Sequence, residues 1–299
     1  MFLNRQVTLI FVINFVLNFN LSAQKGQLLI DLKINSKILQ KEILYNIYLP
    51  VGYDSSVKKY PVLYLLHGSG PQPNAHHTWF NRMNIQEVMD SGINTGKIIP
   101  MIVVMPDAEV TFYMNNINGE YQYEDYFISE LIPFIEEEYK SQNDKIFRGI
   151  AGGSMGGYGA IVYSLHHPDL FSVCASMAAA IRTDQQIRDM PFEKFQYNYR
   201  SALGYIKEGD ERITEFWNSY SVLNLIDNTS KERASQVKYY LDIGDDDHLY
   251  KGNSLFHIRM RDLEIPHEYR VRDGKHNWDY FNETLVHLIA FISEEFNNR

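Results

Sequence analysis

The chain has 299 residues, 45% hydrophobic and 22% charged, with a formal net charge of −9. That size and balance suit one large domain, and no repeat, Pro/Ser-rich tract or low-complexity run divides it. The acidic balance and the lack of any Lys/Arg cluster exclude a phosphate-binding face, and with it a nucleic-acid partner.

The first residues read as an export signal rather than as fold. Arg5 supplies a positive start, residues 7–17 form an apolar run, and Leu21-Ser22-Ala23 offers a small-residue cleavage site before Gln24. The run is too short to span a bilayer, and Gln24 stands where a lipoprotein would carry its lipidated cysteine. The expected mature protein spans 24–299, is periplasmic or extracellular, and has no stable membrane anchor. Cys174 is the single cysteine, so no intrachain disulfide forms.

Residues 26–34 and 42–49 alternate apolar and polar positions and predict an antiparallel pair of strands. Val62–Leu66 and Met101–Met105 are wholly apolar, as strands buried on both faces are. Helical patterns cover 84–91, 124–139 and 155–167, with strands expected at 145–151 and 171–177. Residues 181–236 break the rhythm and read as an insertion covering the sheet, with local helices. A strand at 237–243, a helix at 252–263, a strand at 267–271 and a helix at 278–296 complete the chain. Alternating strands and helices predict an α/β fold with a mainly parallel sheet and helices on both faces.

Gly152-Gly153-Ser154-Met155-Gly156 is a G-x-S-x-G motif between an expected strand and an expected helix. A strained turn there lifts the Ser154 hydroxyl above the strand ends, with a helix N-terminus beneath it. A serine hydroxyl needs a base, and the base needs an orienting acid. His276 lies in the loop before the last helix, where such a base belongs. His166 and His167 end the helix after the nucleophile, where they suit its dipole, and His267 opens a strand. The acid belongs in the turn Gly244-Asp245-Asp246-Asp247, and the pattern leaves all three aspartates open. These adjacent carboxylates lack the alternating ligand spacing of a calcium loop. No metal or other cofactor is expected in the chemistry.

With these residues in place, the chain resembles the esterase D / feruloyl esterase group of α/β-hydrolases (carbohydrate esterase family 1) from about residue 40 to 290. Its landmarks are Leu65-Leu66-His67-Gly68 with Trp79 downstream, Met105-Pro106-Asp107, and Tyr123-Glu124-Asp125-Tyr126 with Glu130-Leu131-Ile132-Pro133. After the nucleophile motif come Gly244-x-x-Asp247 and Gly274-x-His276-x-Trp278. The resemblance implies an α/β-hydrolase fold, Asp247 as the acid, and oxyanion-binding N–H groups at Met155 and Ser69. The loop Ser69–Thr78, with two prolines and the His76-His77 pair, departs from the group's glycine-rich pattern. Trp79, the Tyr113-Met114-Asn115 loop, Tyr121, Tyr123 and Trp278 are expected around the mouth, stacking on a sugar or phenolic acyl group. The expected reaction is hydrolysis of a feruloyl or acetyl ester on a plant or dietary polysaccharide, with a siderophore-type or other small ester as the alternative. An acyltransferase and an inactive binding module are further readings, and the intact serine, acid and histidine set speaks against the second.

Overall fold

A computed structural model of the chain describes residues 25–70 and 74–299. The expected signal segment, 1–23, lies outside the described residues.

The strands are β1 (Gln27–Ser36), β2 (Lys41–Leu49), β3 (Val62–Leu66), β4 (Ile102–Pro106), β5 (Arg148–Gly153), β6 (Val173–Met177), β7 (Lys238–Gly244) and β8 (His267–Arg272). They form one sheet in the order β1-β2-β4-β3-β5-β6-β7-β8. β1 and β2 pair antiparallel, as their alternation predicts, and β2 also runs antiparallel to β4. From β4 onward every neighbour is parallel. β3, β4 and β6 are buried along their whole length because helices cover both faces. The chain steps outward from β3 to β4 and then returns to the other side of β3 as β5. That reversal opens a crevice beyond the C-terminal ends of β3 and β5, where α/β sheets hold their sites.

Outside the segment between β6 and β7 the longer helices are α1 (Ile85–Asn94), α2 (Met155–His166), α3 (Tyr250–Asp262) and α4 (Trp278–Asn297). The expected helix over 124–139 is interrupted. α-Helical turns at Tyr123–Tyr126 and Ile132–Glu138 flank a π-helical segment at Phe127–Leu131. Pro133 has no N–H to give a preceding carbonyl, and the wider turn absorbs the missing bond. Glu130 sits in this segment and accepts from the Lys37 and Ile38 N–H groups at 3.0 and 3.1 Å, tying the β1–β2 turn to it. The strand expected from Lys145 starts at Arg148. Residues Lys145–Phe147 form a 3₁₀ turn, with the Asp144 carboxylate accepting from Ile146 N–H.

Between β6 and β7 lie five short helices within Asp184–Ala234. This is the expected covering segment, and it is fastened to the sheet by buried polar bonds. The Tyr158 hydroxyl donates to Tyr220 O at 2.7 Å, and the Tyr220 hydroxyl donates to the buried Glu124 carboxylate at 2.7 Å. Glu124 Oε1 is also shared by His166 Nδ1 at 2.7 Å and His167 Nε2 at 2.8 Å. These two histidines therefore serve a buried carboxylate rather than merely a helix end.

Candidate active site

Ser154 stands between β5 and α2 with φ +56° and ψ −116°, a conformation few non-glycine residues adopt. Its surroundings hold it there. Ser154 N–H donates to Met177 O at 3.0 Å, and Ser154 O accepts from Tyr158 and Ala180 N–H at 3.0 and 2.9 Å. The flanking glycines are required by close approach. A Cβ on Gly156 would lie 1.9 Å from Leu66 O, and one on Gly152 would lie 2.4 Å from Gly156 C. α2 thus presses on the end of β3, which brings the loop after β3 beside the serine.

His276 comes from the loop between β8 and α4. Its Nε2 lies 3.0 Å from Ser154 Oγ, and its Nδ1 lies 2.7 Å from Asp247 Oδ2. With the carboxylate accepting from Nδ1–H, the Nε2 lone pair faces the serine hydroxyl. Asp247 is fully buried, and its Oδ1 accepts from Leu249 N–H at 2.8 Å. The other two aspartates of the turn do different work. Asp245 Oδ1 accepts from Gly274 N–H at 3.0 Å, and Asp246 N–H donates to Gly274 O at 2.9 Å. Both staple the acid turn to the histidine loop. Gly244 is needed for that contact, since a Cβ there would meet Gly274 O at 2.3 Å. His248 stands beside the group, its ring centroid 4.9 Å from that of His276. Burial holds the His248 pKa below its ordinary value.

The loop after β3 is organised by His67, which is fully buried. Ala108 N–H donates to its Nε2 at 2.9 Å, so the ring proton is on Nδ1, which donates to Gly68 O at 2.7 Å. A trans peptide directs its C=O and N–H oppositely. Pinning Gly68 O on His67 therefore turns the Ser69 N–H the other way. Gly68 itself is near enough to the serine that a Cβ would lie 3.4 Å from Ser154 Cβ. The Met155 N–H belongs to the first turn of α2, whose donors have no intrahelical acceptor. Asp107 faces His67 from behind at 3.4 Å.

A cleft of about 260 Å³ opens over these groups. Gly68, Ser69, Ser154 and His276 line its floor, and Trp79, Met83, Met177, Trp278 and Phe281 form apolar walls. Trp79 and Trp278 stand where the sequence places them. Tyr113, Tyr123 and Asn115 do not, and the expectation that they surround the mouth is corrected. Tyr113 and Tyr123 are fully buried, with their hydroxyls donating to His67 O and Asp107 O at 2.8 Å. They brace the backbone behind the cleft. Asn115 holds Asp125 at 2.9 Å through its side chain and takes no part in the lining. Tyr121 lines a separate cleft with Tyr197 and Tyr205. Phe281, Met177 and Met83 were missed by sequence reasoning. Phe281 had a signal: it lies three residues after Trp278 on one helix face.

The model of the family described as "Putative esterase" matches residues 36–292. A protein of Xylanibacter ruminicola named endo-1,4-beta-xylanase/feruloyl esterase is 33% identical over 157 residues, which is 50% of this chain and 21% of that protein. The chain thus spans about a fifth of that relative's length. An acetyl esterase of Caldicellulosiruptor saccharolyticus is 24% identical over 276 residues, covering 89% of this chain and 98% of that one. Among solved structures, a ferulic acid esterase superposes with a TM-score of 0.76 at 29% identity, covering 91% of this chain and 99% of its own. The fold is that of the α/β-hydrolase esterases. The chain belongs to the esterase family and is a carboxylic ester hydrolase.

Proposed function

We propose that the chain is an exported serine esterase that removes feruloyl or acetyl groups from polysaccharide through an acyl-enzyme. The observation that carries this reading is the chain Ser154 Oγ–His276 Nε2 at 3.0 Å and His276 Nδ1–Asp247 Oδ2 at 2.7 Å, opening into one cleft. Ser154 Oγ attacks the ester carbonyl while its proton passes to His276 Nε2. Asp247 holds the ring tautomer and stabilises the imidazolium. The carbonyl oxygen, now an alkoxide, lies between the Met155 and Ser69 N–H groups, which need no reorganisation to receive it. Collapse breaks the C–O bond, and the His276 proton leaves with the sugar alcohol. Water then repeats the sequence on the acyl-serine and frees the acid.

Residues 24–299 act as one catalytic unit in this reading, after removal of 1–23. No helix among the described residues is long and apolar enough to cross a membrane. The substrate class is supported by the cleft's walls. Trp79, Trp278 and Phe281 offer flat apolar faces suited to a phenolic acyl group. The relatives named as feruloyl and acetyl esterases agree with such a class. The test is a panel of methyl ferulate, acetylated xylan and short nitrophenyl esters against the purified enzyme. The account expects turnover of methyl ferulate, of acetylated xylan, or of both. Rapid turnover of small esters with none on either ferulate or acetylxylan would move the substrate to another ester class.

A further inference from the structure

Among the described residues, three groups of histidine and carboxylate side chains converge. One is the Ser154 site itself. In the second, around Glu124, both nitrogens of His166 are taken, by Glu124 Oε1 and by Ser219 O at 2.8 Å, so no lone pair is left for a ligand. The third lies on the β1 edge behind the loop after β3, and its geometry is different.

We propose that Asp31, His76 and His77 form a binding site for a divalent transition metal of the zinc class, clamping β1 to the loop that carries Ser69. His76 Nε2 lies 3.4 Å from Asp31 Oδ1, His77 Nε2 lies 2.6 Å from the same oxygen, and all three donor atoms fall within 4.8 Å. Zinc with bonds of about 2.0–2.1 Å sets its tetrahedral ligands about 3.3 Å apart. The His76–Asp31 spacing already meets that value. The His77 contact has to open by about 0.7 Å, which its partly exposed side chain allows.

The supporting shell is built as metal sites require. Asn46 is fully buried, and its amide joins two of the ligand residues: Oδ1 accepts from Asp31 N–H at 2.8 Å, and Nδ2 donates to His76 O at 3.3 Å. Asp31 sits at a register shift in β1 with φ +55°, which aims its side chain off the strand. The His76 ring is fully buried between two carboxylates, with Nδ1 3.4 Å from Asp107 Oδ1 and without a hydrogen bond there. A neutral imidazole has one N–H and one lone pair, so one of its nitrogens meets a carboxylate with nothing to give. A metal on Nε2 resolves this, because Nδ1–H then turns to Asp107 as the outer carboxylate of a carboxylate–histidine–metal set. The exposed Asp31 carboxylate provides the way in from solvent.

The site is independent of the esterase reading, and its test does not use activity. The full chain is stripped with EDTA, dialysed, and titrated calorimetrically with zinc, alongside Asp31→Asn and His77→Ala. Asparagine tolerates the positive φ at 31, and His77 is partly exposed, so both variants fold. The expected result is one equivalent of zinc bound by wild type with a Tm rise of roughly 5 °C at a hundredfold excess over the dissociation constant. Both effects are lost in each variant. Cobalt should give visible ligand-field bands with wild type that the variants lack. No zinc uptake by wild type overturns the proposal. Undiminished uptake in both variants overturns it in favour of another site.

Discussion

His67 Nδ1 donates to Gly68 O across 2.7 Å, a hydrogen bond between neighbouring residues that fixes which way the Gly68–Ser69 peptide faces. Nothing else in the cleft needs the buried imidazole, so its worth is testable through catalysis. His67→Phe keeps a ring in the space but removes the donor to Gly68 O and the acceptor for Ala108 N–H. We expect kcat to fall about 10²–10³-fold, the usual cost of one oxyanion donor, with KM changing much less. Steady-state kinetics on a soluble ester, with circular dichroism to confirm folding, decides it. A KM effect with kcat intact would mean that the loop shapes binding rather than the transition state.

The acid turn gives a sharper contrast. Asp247→Asn removes the charge 2.7 Å from His276 Nδ1 and should lower kcat by about 10²–10⁴. Asp246 is exposed and engages Gly274 through its backbone alone, so Asp246→Asn should cost less than about tenfold. Equal losses in the two variants would show that the turn acts as a rigid unit rather than through one carboxylate.

The Glu124 cluster fastens the covering segment, and its contribution to stability has a defined pH window. Burial pushes the Glu124 carboxyl up, but the bonds from His166 and His167 prevail and bring it down to about 2 from 4.5. Its contribution is therefore complete above about 4.5 and is lost as pH falls toward 2. Burial lowers the His166 pKa, and Glu124 more than reverses this, holding it above 6.5. That contribution is complete below 6.5 and fades as pH rises through the raised folded value. Glu124→Gln should destabilise by about 3 kcal/mol between these limits. In thermal melts against pH, the gap to wild type should be widest near pH 5–6 and narrow on both sides. A gap that does not change with pH would make the cluster a neutral hydrogen-bond network.

What the sequence made legible follows from how local each signal is. The apolar runs at Val62–Leu66 and Met101–Met105 have one stable use, as strands covered on both faces. The G-x-S-x-G motif carries its own steric reason, since Gly156 fits against Leu66 O only without a Cβ. Tyr113 and Tyr123 were misplaced because a tyrosine's residue type does not reveal whether its hydroxyl serves a substrate or a distant carbonyl. Here both hydroxyls serve carbonyls behind the cleft. Nothing local to Gly244 announces that its glycine is needed for contact with Gly274, thirty residues away in sequence. Asp31 and His77 meet only through the bulge in β1 and the fold of the loop after β3, a pairing no spacing announces.

The account rests on Ser154 being an activated nucleophile, and covalent labelling measures that directly. The full chain is treated with a fluorophosphonate, digested, and mapped by mass spectrometry beside His276→Ala. The account predicts one adduct, on the peptide carrying Ser154, formed rapidly by wild type and at least about a hundredfold more slowly by the variant. Absence of an adduct, an adduct on a different serine, or equal labelling rates in the two proteins would contradict it.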